Sequence, residues 1–287
     1  MEKEIKCTQL KCNQRNRKKW INERQEEFRQ YLKEMERSEN TIDAYLNALK
    51  QFYLRFDELS KENMILFKKQ QLEDQKPKTA ALRCCAMNVY CEFVNKHKFR
   101  VKGVTIHNAS NVENVITLDE YWYFIDCLKR DGHEKVYWMV RYMASTGCRV
   151  SELVQLEKTC LMTGRYSMWS KGKIRKILIP QRLIDESQEY FENTKGKYLF
   201  SNRSGDILTK HAVNKFIAFY GERYGIRKEV LHPHSFRHLF AISFLKENNN
   251  LALLQDLLGH ESIATTTIYL RLSVEEQINE LNKTVVW

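Results

Sequence analysis

The sequence predicts a mainly α-helical protein with one small β-hairpin, built as an amino-terminal helical domain followed by a larger second domain. Three features predict it. Only 3 prolines and 10 glycines occur in 287 residues, so the chain has few obligatory turns. Apolar residues recur at three- and four-residue steps through most of its length. Between Val101 and Val115 that period stops, and polar turn formers replace it.

Residues 1–19 are basic, carry no apolar period, and read as a flexible arm. From Trp20 the pattern is helical, with Phe28, Tyr31 and Leu32 on one face as far as Ser38. Ser38-Glu39-Asn40-Thr41 starts a second helix carrying Tyr45, Leu46, Leu49, Phe52 and Tyr53. A third spans Lys61 to Gln71, and Pro77 opens a fourth with an apolar stripe of Ala81, Leu82, Cys85, Val89, Tyr90 and Phe93. These four helices make a bundle over 20–100, and 101–116 is the linker.

The second domain, 117–287, opens at Thr117, an N-cap followed by Asp119 and Glu120 in the first turn. Helices are expected over Leu118–Arg130 and Glu134–Ser145. Strands Tyr166–Trp169 and Ile174–Ile179 flank a hairpin turn, Ser170-Lys171-Gly172-Lys173. Further helices should cover Arg182–Asn193, Lys210–Tyr224, His234–Glu247, Leu251–Leu258 and Ser262–Tyr269, and an amphipathic segment Val274–Leu281 leads to Val285-Val286-Trp287.

A net charge of +11 suits a polyanionic partner such as nucleic acid. No apolar run approaches the ~20 residues of a membrane span, and the start of the chain lacks a secretory core, so a cytoplasmic location without membrane contact is expected. The eight cysteines form no C-x-x-C pair, which speaks for reduced thiols, several of them buried as at Cys127 and Cys148, and against structural zinc.

Four strings carry possible chemistry. In Thr146-Gly147-Cys148-Arg149-Val150-Ser151-Glu152-Leu153, Gly147 breaks a helix and Arg149 starts the next turn, where Glu152 lies on the same face to hold its guanidinium. Lys171 sits in the hairpin turn, with Lys173 and Lys176 as neighbouring alternatives. In His234-Ser235-Phe236-Arg237, His and Arg project from one helical face about a turn apart, suited to gripping one anion. Finally, Leu258-Gly259-His260 ends a helix, and Tyr269 follows nine residues later. Read singly, each has an ordinary explanation: a surface ion pair, a solvated lysine, a structural histidine, a packing tyrosine.

Taken in order over about 120 residues, T-G-x-R-x-x-E-L, a lysine hairpin, H-x-x-R, L-G-H and a final Tyr closely resemble the tyrosine recombinase (phage integrase) family, in particular its compact Xer-like and transposon-borne members. Cys148 stands where the family often has an aliphatic residue, and Ser170 replaces the usual glycine before Lys171; neither removes a catalytic group. The resemblance implies an amino-terminal core-binding (SAM-like) domain ahead of the catalytic domain. Lys68, Lys69, Lys76, Lys78 and Arg83 would then meet DNA.

It also implies a reaction. Tyr269 attacks a scissile phosphodiester to give a 3′-phosphotyrosyl link and a free 5′-hydroxyl. Arg149 and Arg237 clamp the non-bridging oxygens. His234 acts as general base toward Tyr269, His260 bonds the same phosphate, and Lys171 protonates the departing 5′-oxygen. No cofactor and no metal are implied. The expected partners are double-stranded recombination sites, three further copies of the chain in a tetramer on nucleoid DNA, and accessory bending or directionality factors. The tail after Tyr269 either docks on a neighbouring copy or packs on its own domain. Two other readings remain: a type IB topoisomerase-like relaxing enzyme, and a catalytically silent DNA-binding regulator.

Overall fold

The computed structural model describes residues 23–105, 114–170, 173–270 and Asn282. The basic arm, Cys7, Cys12, Lys171, part of the expected linker and the tail residues Ile278, Leu281, Val285, Val286 and Trp287 lie outside the described residues. The chain divides into two units, residues 1–108 and 109–287.

In the first unit, helix α1 runs through residues 23–34. It is followed by α2 (Glu39–Tyr53), α3 (Lys61–Asp74) and α4 (Pro77–Phe93). The helix starts follow local chemistry. Ser38 and Ser60 accept hydrogen bonds from the backbone N–H groups of Thr41 and Asn63, and Pro77 occupies the first turn of α4. The core is aromatic: Phe28 packs edge-on to Tyr90 at 5.1 Å between ring centroids, and Phe52 likewise to Phe67 at 5.3 Å. After α4 the chain folds back, and Asn88 clasps Val101 through two hydrogen bonds of 2.8 and 2.9 Å.

One expectation fails here. The buried stripe of α4 is Ala80, Cys84, Met87, Tyr90 and Cys91, whereas Leu82 is 44% exposed and Cys85 is also exposed. Tyr90 is buried as expected, and Val89 and Phe93 pack against the core from partly buried positions, so the expected stripe fails at Leu82 and Cys85. Small and apolar side chains surround α4 on nearly all sides, so periodicity cannot select the inward face; packing against α2 and α3 does.

The second unit holds α5 (Leu118–Arg130), α6 (Glu134–Thr146), the short α7 (Val150–Leu153) and α8 (Thr159–Thr163), the antiparallel strands β1 (Arg165–Ser170) and β2 (Lys173–Leu178), then α9 (Gln181–Glu192), α10 (Lys210–Arg223), α11 (Pro233–Asn248) and α12 (Leu251–Leu258). Thr117 and Glu120 form a reciprocal capping box on α5. Arg227 grips the Glu120 carboxylate, holding its pKa down at about 2. The core joins α5, α6, α9, α10 and the first half of α11, with Phe124, Tyr142, Phe191, Phe200 and Phe236 fully buried. A smaller cluster of Ala241, Leu245, Leu254 and Leu258 fastens α12 to α11, and Tyr269 packs against it.

The stretch expected as a helix over Ser262–Tyr269 is instead two 3-10 turns, Ile263–Thr265 and Thr267–Leu270. Its run of β-branched residues resists a regular helix. Thr267 Oγ1 donates to the Ala264 carbonyl at 3.0 Å and Ser262 Oγ accepts from Ala264 N at 3.2 Å, so side chains take over backbone partners. Among the described residues no helix is long and apolar enough to cross a membrane.

Candidate active site

The second unit gathers Arg149, Glu152, His234, Arg237, His260 and Tyr269 around the carboxyl end of α12. A helix ends with carbonyl groups that lack intrahelical donors and carry the negative end of its dipole. Here three guanidinium groups supply donors to four successive carbonyls. Arg175 donates to Asp256 O at 2.9 Å and to Leu257 O. Arg237 donates to Leu258 O at 2.7 Å, and Arg149 to Gly259 O at 3.3 Å. Gly259 makes this possible: its φ is +60°, and a Cβ there would stand 2.6 Å from the Arg175 side chain.

Each arginine is oriented from a second side. Arg149, two residues after the left-handed Gly147, donates from Nη1 to Glu152 Oε1 at 2.9 Å, while its backbone N–H donates to Glu152 Oε2 at 2.8 Å. Glu152 is therefore where the sequence places it, and its side chain is only 4% exposed against 36% for Arg149. Arg175 Nε lies 3.5 Å from the same carboxylate. Arg237, 3% exposed, also donates to the Gly147 carbonyl at 2.5 Å. Burial first, then Arg149, pulls its pKa down to about 10, which leaves it charged at neutral pH.

His260 leaves α12 with Nδ1 hydrogen-bonded to Thr266 Oγ1 at 2.9 Å. Burial, reinforced by Arg237, Arg149 and Arg175, holds its pKa down at about 4, so the ring is neutral at pH 7. Arg149, Lys173, Arg175, His260 and Thr265 are among the residues lining a cavity of about 590 Å³. Lys171 lies outside the described residues; among the described residues, the hairpin lysine that lines this cavity is Lys173.

Tyr269 is half-buried on its 3-10 turn. Burial raises its phenol pKa, whereas Arg237 and Arg149 favour the phenolate. Its hydroxyl is not on His234. It is hydrogen-bonded to Nδ1 of His238, 2.8 Å away, while His234, one turn earlier on α11, is exposed. The pairing of Tyr269 with His234 expected from the sequence is thus replaced by Tyr269–His238, because His238 is the histidine that faces the turn after α12. Desolvation, followed by Arg237, lowers the His234 pKa.

Sequence reasoning passed over His238, Arg175 and Thr266. His238 could have been found: it lies four residues after His234 and so shares its helical face. Arg175 had no local signal, since an arginine on a short hairpin strand is usually solvated. In the first unit, Lys68 and Lys69 line a cavity of about 360 Å³ together with Lys61 and Lys102. Lys76 and Lys78 are exposed at the start of α4, and Arg83 is tied to Gln71 Oε1 at 2.7 Å.

A two-unit helical chain that gathers arginines, histidines and a tyrosine at one helix end is the architecture of tyrosine recombinases. Residues 114–276 match the model of the phage integrase family, and the chain belongs to that family. It is 28% identical over 275 residues to the tyrosine recombinase XerD of Staphylococcus haemolyticus, covering 85% of this chain and 91% of that one. Among solved structures, it resembles a lambda integrase dimer bound to a COC′ core site (TM-score 0.69, 16% identity, 85% of this chain and 96% of that one). It also resembles the Tn1549 transposon integrase in complex with transposon right-end DNA (TM-score 0.67, 16% identity, 88% and 95%). At these identities the structures show a shared fold.

Proposed function

We propose that this chain is a site-specific DNA recombinase that cleaves and rejoins duplex DNA through a 3′-phosphotyrosyl intermediate on Tyr269. The observation that carries the reading is convergence: residues from positions 149, 237, 260 and 269 meet at one helix end. In the reaction the Tyr269 Oη–P bond forms and the P–O5′ bond breaks. A phenol is a weak nucleophile at neutral pH, and the pentacoordinate transition state concentrates negative charge on the non-bridging oxygens. Arg149 and Arg237 each retain guanidinium donors beyond those spent on carbonyls, and these suit that charge. His260 donates to the same phosphate, and His234, exposed beside Arg237, does so from the other side. Lys171 protonates the leaving 5′-oxygen, with Lys173 the alternative. The bond energy is kept in the phosphotyrosine, and the 5′-hydroxyl of a partner duplex releases it.

The first unit, with Lys68, Lys69, Lys76, Lys78 and Arg83, is the core-binding domain that meets DNA phosphates, and 101–116 is its linker to the catalytic domain. A tetramer on two sites performs the exchange in the cytoplasm, on nucleoid DNA, with accessory bending or directionality factors where the site requires them.

The test uses a nicked duplex whose site has been selected by this protein from a random library. Wild type should form a covalent protein–DNA adduct, and Tyr269→Phe should form none while binding the duplex as tightly. An adduct that survives in Tyr269→Phe puts the nucleophile elsewhere. Absence of any adduct from wild type favours a silent DNA-binding regulator, and relaxation without exchange between two sites favours a topoisomerase.

A further inference from the structure

If Tyr269 attacks a phosphate, its phenolic proton must go somewhere, and the hydroxyl's hydrogen-bond partner among the described residues is Nδ1 of His238 at 2.8 Å. The contact is built from both sides. The His238 and Tyr269 rings lie 5.5 Å apart at 54°, and Tyr269 is wedged against the α11–α12 cluster that fixes its turn. On its other side, the His238 ring meets His234, with centroids 6.3 Å apart. His238 is partly buried, so the pair is shielded, whereas His234 is the more exposed of the two histidines.

We propose that His238 Nδ1 takes the phenolic proton of Tyr269 during DNA cleavage and returns it during rejoining, a role that rests on the recombinase reading of Tyr269. In cleavage the Oη–P bond forms, the P–O5′ bond breaks, the phenolic proton passes to Nδ1, and the 5′-oxygen takes its own proton from the hairpin lysine. In rejoining, the 5′-hydroxyl attacks phosphorus, its proton goes back to that lysine, and the departing phenolate recovers its proton from His238.

The imidazole is suited to begin as a base. Burial, then His234, His232 and Arg237, hold its pKa down at about 4, so the resting ring is neutral and one nitrogen carries a lone pair. Such a ring is too weak a base while the site is empty. A phosphodiester seated between Arg149 and Arg237 brings a negative charge that offsets the Arg237 cation and raises the proton affinity of His238. The base therefore strengthens when substrate is present.

Two measurements test this. In the free protein, nitrogen NMR of the histidine rings should show His238 protonated on Nε2 with a hydrogen-bonded, unprotonated Nδ1 whose signal shifts in Tyr269→Phe. A ring protonated on Nδ1 would overturn the proposal, whatever the DNA experiments give. On the selected nicked duplex, His238→Asn keeps an acceptor near the Nδ1 position but cannot carry the proton. Its single-turnover cleavage should fall by about 10²- to 10⁴-fold, with DNA affinity unchanged. A more acidic fluorotyrosine at position 269 should restore much of the loss in His238→Asn. Cleavage by His238→Asn at the wild-type rate would reduce His238 to a support for the ring. A wild-type chain that forms no adduct would instead sink the recombinase reading, with the NMR result still standing on its own.

Discussion

Arg175 is the residue on which the order of the site rests. Its side chain is 8% exposed, its guanidinium serves Asp256 O, Leu257 O and Lys176 O, and Glu152 lies against its Nε. Arg175→Met would keep much of the volume but remove the guanidinium from those carbonyls and leave the buried Glu152 with Arg149 as its one remaining cation among the described residues. Losing one member of a buried charged network costs about 3–5 kcal/mol. The expected result is a large fall in denaturation midpoint and slower cleavage, because the carbonyl that follows, Leu258 O, is the one Arg237 holds. An Arg175→Met protein as stable as wild type would show that the network contributes nothing. A gentler change probes the start of α5: Thr117→Ala removes one side of its capping box and should cost about 1 kcal/mol without altering the cleavage rate.

At the scale of elements, the break between α6 and α7 aims two arginines at once. Gly147 adopts φ +62°, its carbonyl receives Arg237, and the next residue but one is Arg149. A Cβ at this position would stand 2.5 Å from Phe240 Cδ1. Gly147→Ala should therefore destabilise the chain by more than the ~1–2 kcal/mol of left-handed backbone strain alone, and reduce cleavage as Arg149 and Arg237 shift. Thermal unfolding and single-turnover cleavage measure the two effects. If both are unchanged, the close packing of α11 against this turn is not needed. The 3-10 turns after α12 follow the same logic. Their threonines satisfy the backbone locally, and this delivers Tyr269 to α11 without a rigid helix.

For the whole molecule, two bulk properties have direct consequences. His238 and His260 are held at about 4 when folded, below the ~6.5 of an unfolded histidine. Between those values the unfolded chain binds more protons, so stability is full above about pH 6.5 and is lost as pH falls toward 4. The unfolding temperature should drop from pH 7.5 to pH 5, and the drop should be smaller in a His238→Gln, His260→Gln protein; an equal drop would locate the effect elsewhere. The net charge of +11 suits phosphate contacts, and DNA affinity should fall linearly with salt on logarithmic axes with a slope set by the number of phosphates neutralised. If the first unit carries phosphate contacts, Lys76→Glu with Lys78→Glu should weaken binding to all duplexes and flatten that slope. An unchanged slope would remove α4 from the interface.

The amino-acid sequence by itself determined the helical class, the starts of α2, α5 and α12, the hairpin, and the membership of Arg149, Glu152, Arg237, His260 and Tyr269 in one site. Those are local facts, written in caps, periods and ordered motifs. Only the tertiary structure decided which face of α4 is buried, that Ser262–Tyr269 would form 3-10 turns and not an α-helix, that Arg175 would be drawn into the site, and that Tyr269 would rest on His238 rather than His234. Each depends on partners far away in the chain, and a helix end with four carbonyls to satisfy selects its donors by proximity in space, which no local pattern records.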